Sequence, residues 1–349
     1  MKIDYQLVFL VFLLSFLGLY FFYGVSLPYS TKNFNEPLYY FKKFLIFNFI
    51  FPIFMFFLGY LMNWLFLLRI SKIIFLINLL FLILPFIDFF KLPNQNTARW
   101  FYFNGFSFQP SEFMKFSLIL FLTAILPLIK KDKSYFYVSL LIIFLVSLIV
   151  YLQPALSTIL ILLSGVIGGF MTINLRVKYF IIFFIIILSF VLLAFLWSYR
   201  AERIISIFKN DDKKSGFQLS QSKLAIGSGG LLGKGLGNSE LKLIGLPLMI
   251  SDNIFAIYAE ETGFIGSIML ILVFVFLILR ILYLGYSNRD ESKKFFSVGI
   301  ACWLSSQIFI HLMANLVITT GVPLPFFSYG PSSQIALMTA LGIISKFKN

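Results

Sequence analysis

The amino-acid sequence predicts an all-α polytopic membrane protein, with about ten transmembrane helices and a long extracytoplasmic loop between the seventh and the eighth. Two observations predict this fold class. Hydrophobic residues fill 60% of the 349 positions and charged residues only 12%, against roughly 25% charged residues in a soluble domain. The apolar residues also form runs of about 20, the length that a helix needs to cross the hydrocarbon core. We therefore expect one integral membrane domain over residues 1–349.

Ten apolar runs have the length of a membrane-spanning helix. The fifth and the sixth are separated only by Gln153 and Pro154, and proline cannot continue a helix. Strands are not expected in these runs, because an open sheet leaves backbone groups unpaired in lipid. The predicted spans are 6–26, 41–62, 73–90, 111–129, 135–152, 155–173, 178–198, 253–284, 295–318 and 327–345.

The basic residues of the short loops predict the orientation, because cytoplasmic loops are enriched in Lys and Arg. With the N-terminus inside, fourteen such residues lie on the inner side and five on the outer side. Both termini are then cytoplasmic, and residues 199–252 face outward. The inner residues are Lys2, Arg69, Lys72, Lys130, Lys131, Lys133, Arg176, Lys178, Arg280, Arg289, Lys293, Lys294, Lys346 and Lys348. The outer ones are Lys32, Lys42, Lys43, Lys91 and Arg99.

The net charge of +14 does not indicate a nucleic-acid-binding protein. Basic residues beside apolar spans are the expected orientation signal and match anionic lipid headgroups. The single cysteine, Cys302, lies in an apolar run, so neither a disulfide framework nor a thiolate metal site is expected.

The loop 199–252 is the longest polar interruption, and its centre is rich in glycine over 227–237. It does not match a phosphate-binding loop, because Ser228 occupies the position of the first glycine and Gly235 follows Lys234 in place of Ser or Thr. The dinucleotide-binding pattern fails at Asn238. Two interpretations remain: a backbone that lies close to the membrane surface or to a ligand, and a flexible loop.

Several ionisable residues are predicted inside the spans, where charges are costly and usually face the bundle interior. Glu112 and Lys115 are three residues apart, so they share a helix face and can pair, either for function or only for packing. Glu260 and Glu261 lie two turns inside the eighth span, and Glu260 is the closer of the two to the face of Asp252. His311 has no partner at metal-ligand spacing and is expected to be a hydrogen-bonded core residue.

Asp252 lies where the long loop ends and the eighth span begins. Aspartate at this position is a favoured N-cap, which accepts hydrogen bonds from unpaired backbone N–H groups. The alternative is a general base at the outer boundary of the membrane, since a positioned carboxylate can take a proton from a reacting group.

Four stretches together resemble the SEDS family (shape, elongation, division and sporulation), which includes FtsW and RodA. The first is Arg99-Trp100 followed by Gln109-Pro-Ser-Glu112 and Lys115. The second is the loop 221–239, the third is Asp252-Asn-Ile-Phe-Ala with Glu260-Glu261, and the fourth is 321–333. The resemblance covers the whole chain in order, and its details are more FtsW-like than RodA-like.

The resemblance implies a peptidoglycan glycosyltransferase that polymerises lipid II on the outer face of the cytoplasmic membrane. Asp252 matches the catalytic aspartate of the family and would take the proton of the acceptor hydroxyl. Pyrophosphate charge would be met by cations, as in other sites that stabilise a departing anion. The residues implied for substrate binding are Arg99, Lys115, Arg200, Arg203, Gln221, Ser222 and Lys234; those implied for support are Glu112, Glu260 and Ser328.

The implied partners are lipid II, the lipid-linked glycan chain, a class B penicillin-binding protein and other division or elongation proteins. A divalent cation such as Mg²⁺ or Mn²⁺ would suit a pyrophosphate, but the sequence has no ligand cluster for one. The chain departs from the family pattern at Ala155, Ser157, Leu248 and Pro331. Two alternatives stay open. One is a lipid II flippase, because a charged cavity between helices would also suit transport of a charged headgroup. The other is a weakly active scaffold that recruits the transpeptidase, because these departures remove two acids.

Overall fold

The computed structural model describes residues 3–93, 97–104, 106–173, 177–195, 214–244, 249–317 and 321–348. Arg200 and Arg203 lie outside these ranges. The described part is almost entirely helical. Its helices are α1 Tyr5–Phe34, α2 Tyr39–Leu61, α3 Trp64–Ile83, α4 Pro110–Lys131, α5 Lys133–Leu152, α6 Leu156–Phe170, α7 Val177–Phe195, α8 Lys214–Ser228, α9 Leu241–Ile244, α10 Met249–Asp252, α11 Ile254–Tyr286, α12 Glu291–Leu316 and α13 Pro331–Ile344.

The prediction of an all-helical polytopic membrane protein is confirmed. Within the described residues, seven helices have the length and hydropathy of a membrane span, and three shorter helices are also apolar. Each of the ten predicted spans corresponds to one of these helices. The break at Gln153 and Pro154 is present, because α5 ends at Leu152 and α6 begins at Leu156.

The bounds of some spans differ from the prediction. The third span was predicted to begin at residue 73, but α3 begins at Trp64. The prediction began at residue 73 because Arg69 and Lys72 interrupt the apolar run. The helix starts earlier because the Asn63 side chain caps it, accepting hydrogen bonds from the first backbone N–H groups. The last helix begins at Pro331 rather than near 327, because the segment before it is not helical.

Helices α8, α9 and α10 and a hairpin, all between the spans, were not predicted. Helix α8 lies within the long loop, and it packs against α11 and α12. A two-stranded antiparallel hairpin, β1 Phe101–Phe103 and β2 Phe106–Phe108, lies between α3 and α4. The hairpin is outside the predicted spans, so its strands do not have to satisfy their edges in lipid.

The buried apolar residues form two clusters. One is built mainly from α1, α2, α11, α12 and α13, and the other from α3 to α7. Helix α12 joins them, since it packs on α11 on one side and on α6 and α4 on the other. The polar residues of α12 therefore lie at the centre of the molecule.

Candidate functional site

Residues 321–330 lie between α12 and α13 and are called the central segment below. This segment is not helical, yet Leu324, Phe326 and Phe327 are almost completely buried. Non-helical backbone at membrane depth must have its polar groups satisfied by protein or water. Side chains supply several of these bonds: Asn48 Nδ2 donates to the Ser328 carbonyl at 3.1 Å, and Gln334 Oε1 accepts from the Phe326 amide at 2.9 Å.

The backbone around Asp252 is held against this segment. The Ile250 carbonyl accepts a hydrogen bond from the Tyr329 amide at 3.1 Å, and the Ser251 carbonyl accepts one from Ser328 Oγ at 2.6 Å. The Asp252 carbonyl accepts from Asn315 Nδ2 at 3.0 Å. Three consecutive carbonyls are thus fixed by the C-terminal part of the chain, which places Ser328 in a supporting contact beside the predicted base.

Asp252 does not occupy the N-cap position of the long helix that follows it. It is the last residue of the short helix α10, and Asn253 is at the N-cap of α11 with no side-chain capping bond. The interpretation of Asp252 as the N-cap of this span is therefore wrong, because the chain turns one residue later than the apolar run suggests. The Asp252 side chain is half-buried, and its Oδ2 faces Gly321, where an added Cβ would lie 3.4 Å away.

Glu112 and Lys115 form a buried ion pair inside α4, as their spacing predicts. The Nζ–Oε2 distance is 2.7 Å, and the Lys115 side chain is 1% exposed. Nζ also donates to Gln307 Oε1 at 3.2 Å and lies 5.1 Å from the centre of the Trp303 ring. This closed set of partners argues against direct contact of Lys115 with a pyrophosphate in this conformation.

Gln307 connects the ion pair to the central segment. Its Oε1 accepts from Lys115 and from Trp303 Nε1, and its Nε2 donates to the Pro323 carbonyl and to Ser333 Oγ, both at 3.0 Å. One turn further along α12, His311 Nδ1 lies 2.7 Å from the Val322 carbonyl. His311 is fully buried and hydrogen-bonded, as predicted for a core histidine.

Sequence reasoning missed the pattern to which His311 belongs. Gln307, His311 and Asn315 are spaced by four residues, so they share one face of α12. They contact the carbonyls of residues 323, 322 and 252 respectively. Polar residues at i, i+4 and i+8 in an apolar span were the available signal, because such residues face the interior of a bundle.

Glu260 and Glu261 bind the glycine-rich loop and not Asp252. Glu260 accepts hydrogen bonds from Lys234 Nζ at 2.8 Å and from Ser239 Oγ, and Glu261 pairs with Lys242 Nζ at 2.9 Å. Both glutamates are nearly inaccessible. Glu260 was predicted to be the closer of the two to the face of Asp252, but its carboxylate is taken up by contacts with the folded loop.

The glycine-rich loop packs its backbone directly on α11. The amides of Lys234 and Gly235 donate to the carbonyls of Glu260 and Glu261 at 2.9 and 3.0 Å. Gly233 has a φ of +82°, and an added Cβ there would lie 2.2 Å from the Glu261 carbonyl oxygen. Of the two interpretations, close backbone approach thus applies here, and the surface approached is a helix of the same chain.

Lys234 is the loop cation that was predicted to bind substrate. Its ammonium lies between two carboxylates, 2.8 Å from Glu260 Oε1 and 3.0 Å from Glu240 Oε1. The hydrogen bond that its ammonium donates to Glu260 is the main cause that raises the pKa of Lys234 above its ordinary value. The side chain remains 28% exposed, so it lies at the surface of the loop as part of an ion-pair network.

The remaining predicted substrate contacts within the described residues lie in helix α8 and in the segment before the β1–β2 hairpin. Ser222 is buried in α8, where its hydroxyl donates to the Gln218 carbonyl, and Gln221 is half-exposed beside it. Gln218 Nε2 donates to Asn253 Oδ1 at 3.2 Å, which brings α8 to the residue that follows Asp252. Arg99 donates from Nε to the Gln153 carbonyl at 3.0 Å and from Nη2 to the next carbonyl along the chain, across the break between α5 and α6.

No group of three or more His, Cys, Asp or Glu side chains that could hold a metal ion occurs in the part of the chain that the structure describes. Mg²⁺ usually keeps several waters and binds one or two carboxylates plus phosphates. A divalent cation bound through the pyrophosphate of a substrate would therefore not require such a group.

The sequence profile described as "Cell cycle protein", which covers FtsW, RodA and SpoVE, matches residues 5–349. Stage V sporulation protein E of Bacillus subtilis is 34% identical over 98% of this chain and 95% of its own length. A probable peptidoglycan glycosyltransferase FtsW of Wigglesworthia glossinidia brevipalpis is 34% identical over 98% of this chain and 92% of its own. The chain belongs to the FtsW/RodA/SpoVE family.

Solved structures of this family have the same fold. The chain aligns with RodA of Thermus thermophilus at a TM-score of 0.70 and 24% identity, over 99% of this chain and 97% of that one. It aligns with a chain of a peptidoglycan synthase complex, described as coordinating polymerization and crosslinking, at a TM-score of 0.77 and 22% identity, over 99% and 97%. The architecture of α1 to α13 is thus that of the FtsW/RodA/SpoVE family.

Proposed function

We propose that the chain is a peptidoglycan glycosyltransferase that polymerises lipid II. The observation that carries the proposal is the half-buried carboxylate of Asp252, whose backbone is fixed on three consecutive carbonyls by the central segment and α12. General bases work best when they are held within hydrogen-bond reach of the proton they remove. The names of its relatives, probable peptidoglycan glycosyltransferases FtsW, support the same activity.

In the proposed reaction, the 4-hydroxyl of an incoming lipid II sugar attacks the anomeric carbon of the lipid-pyrophosphate-linked chain. The new bond joins this oxygen to the carbon, and the bond between the carbon and the pyrophosphate oxygen breaks. The hydroxyl proton passes to Asp252, and attack opposite to the leaving group inverts the anomeric centre. Arg99, Arg200 and Arg203 are the proposed partners of the pyrophosphate, because guanidinium groups bind phosphate oxygens in bidentate geometry.

Lys115 receives a different role from the one that its motif implies. Its ammonium is enclosed by Glu112, Gln307 and Trp303, so we assign it to positioning. Through Gln307 it fixes the Pro323 carbonyl, and thereby the segment that lies against Asp252. Glu112 retains its proposed function of holding Lys115.

The test is polymerisation of labelled lipid II by the purified protein, with and without a class B penicillin-binding protein, the transpeptidase proposed as its partner. Gel-resolved glycan strands longer than lipid II are the expected product. Transfer of lipid II headgroups across a vesicle without polymer would indicate a flippase. Neither polymer nor transfer, with normal binding of the transpeptidase, would indicate a scaffold; either outcome contradicts the proposal.

The proposed reaction also requires the loop between α7 and α11 to lie on the outer side of the cytoplasmic membrane, with both termini inside. In a Cys302→Ser background, Lys223→Cys should react with a membrane-impermeant maleimide in intact cells, and Lys131→Cys only after the membrane is permeabilised. Both side chains are exposed, so access to the reagent depends on the side of the membrane. The opposite labelling pattern would place the site inside and contradict the proposal.

A further inference from the structure

The polar face of α12 contains two residues, His311 and Asn315, to which the proposed reaction gives no role by itself. It consists of Gln307, His311 and Asn315, which are nearly or fully buried. Gln307 and His311 contact neighbouring carbonyls of the central segment, whereas Asn315 alone of the three reaches the Asp252 backbone. One helix therefore contacts both the central segment and the backbone of the predicted base.

The neighbours of Asn315 determine how its amide is oriented. Nδ2 lies 3.0 Å from the Asp252 carbonyl and 2.9 Å from the His311 carbonyl. Carbonyl oxygens only accept hydrogen bonds, so the NH2 group of Asn315 must face them. Both of its N–H groups are then used, one within α12 and one to hold Asp252.

The neighbours of His311 determine its tautomer in the same way. Nδ1 faces the Val322 carbonyl, which can only accept, so Nδ1 carries the hydrogen. Nε2 is then the unprotonated nitrogen, and it faces Asn315 Nδ2 at 3.4 Å. The imidazole thus lies beside the amide that holds Asp252, whose two N–H groups already have the carbonyls of residues 252 and 311 as acceptors.

We propose that Asn315 is a positioning residue for Asp252, an inference that rests on the proposed glycosyltransferase function. Asp252 ends a four-residue helix, and the next helix begins at Ile254, so neither element alone fixes its direction. Asn315 ties its carbonyl to α12, and this bond holds the backbone from which the carboxylate projects. A base displaced by about 1 Å can lose about 10²-fold in rate.

The decisive comparison is between Asn315→Leu and Asn78→Leu. Both replace a buried asparagine of a helix by a side chain of similar volume. Asn78 lies in α3, and its Nδ2 donates to Ser117 Oγ of α4 at 3.1 Å. Both variants should lose a similar amount of thermal stability. Only Asn315→Leu should lower kcat for polymerisation, by about tenfold or more, with KM for lipid II changed less than threefold.

Equal kcat for the two variants would overturn the inference and would leave the proposed function intact. Absence of polymer from the unaltered protein would instead remove the proposed function itself, so the two failures are distinguishable. If Asn315→Leu does not fold, Asn315→Ala removes the same donor without adding apolar bulk. Turnover by folded Asn315→Ala equal to that of the unaltered protein would likewise overturn the inference.

Discussion

Asp252→Asn is expected to lower glycan polymer formation from lipid II by about 10²-fold or more, because the amide cannot accept the proton of the acceptor hydroxyl. Folding should be unaffected. Asn253, not Asp252, is at the N-cap of α11, and the contact from Asn315 goes to the backbone carbonyl of residue 252, which the substitution retains. The measurement is gel-resolved product with the transpeptidase present, together with the thermal midpoint of each protein.

Asp132→Asn is a matched control for this substitution. Asp132 is the N-cap of α5, where its Oδ1 accepts from the Ser134 amide at 2.9 Å, and asparagine is about as good an N-cap. Polymer formation should therefore be normal in the control. Substantial polymer from folded Asp252→Asn would exclude Asp252 as the base, and loss of its fold would show a structural role instead.

The sequence predicted the features that depend on neighbouring residues. The apolar runs gave the ten helices, because span length is a local property. The pairing of Glu112 with Lys115 followed from their spacing of three on one helix, and the 2.7 Å contact confirms it. The break at Gln153 and Pro154 followed from the missing N–H of proline.

The contacts that build the site join distant parts of the chain. The periodicity of apolar residues reports only on neighbouring positions, so it could not predict these contacts. Ser328 and Asn315 reach the backbone of residues 251 and 252 from positions more than 60 residues away. Helix α8 was missed for a different reason, since its sequence is polar and ends in glycines, which indicated a loop. Its position is set by tertiary contacts, such as that of Gln218 with Asn253.

The partners of the charged residues could likewise not be predicted from neighbouring positions. Glu260 and Glu261 were correctly placed inside the eighth span, but the direction of their side chains depends on how the glycine-rich loop folds back. Each buried carboxylate needs a partner, because an unpaired charge in the interior is strongly destabilising. Lys234, within the glycine-rich run, and Lys242, after it, supply those charges.

Gly233→Ala is expected to destabilise the protein more than any other alanine substitution among glycines 227, 229, 230 and 233. These four glycines separate two effects. Gly227 has no atom within 4 Å of an added Cβ; Gly229 would meet the Ala259 carbonyl oxygen at 2.3 Å; Gly230 has a φ of +55° and open space. Gly233 combines both, with a φ of +82° and a carbonyl oxygen at 2.2 Å.

The expected order of thermal midpoints follows from these geometries. Gly227 lies within α8, so Gly227→Ala should raise the free energy of unfolding by about 0.5–1 kcal/mol, because alanine loses less conformational entropy than glycine when a helix forms. Gly230→Ala should lower the free energy of unfolding by about 1–2 kcal/mol, the cost of a left-handed backbone for an L-residue. Gly229→Ala should lower it by about 1–3 kcal/mol, because the added methyl group overpacks the contact. Gly233→Ala should lower the free energy of unfolding by at least the sum of the Gly230→Ala and Gly229→Ala effects. To relieve the steric contact, the loop would have to leave α11 and expose the ion pairs of Glu260 and Glu261. A midpoint for Gly233→Ala no lower than that of Gly230→Ala would show that the loop does not pack on α11 in this way.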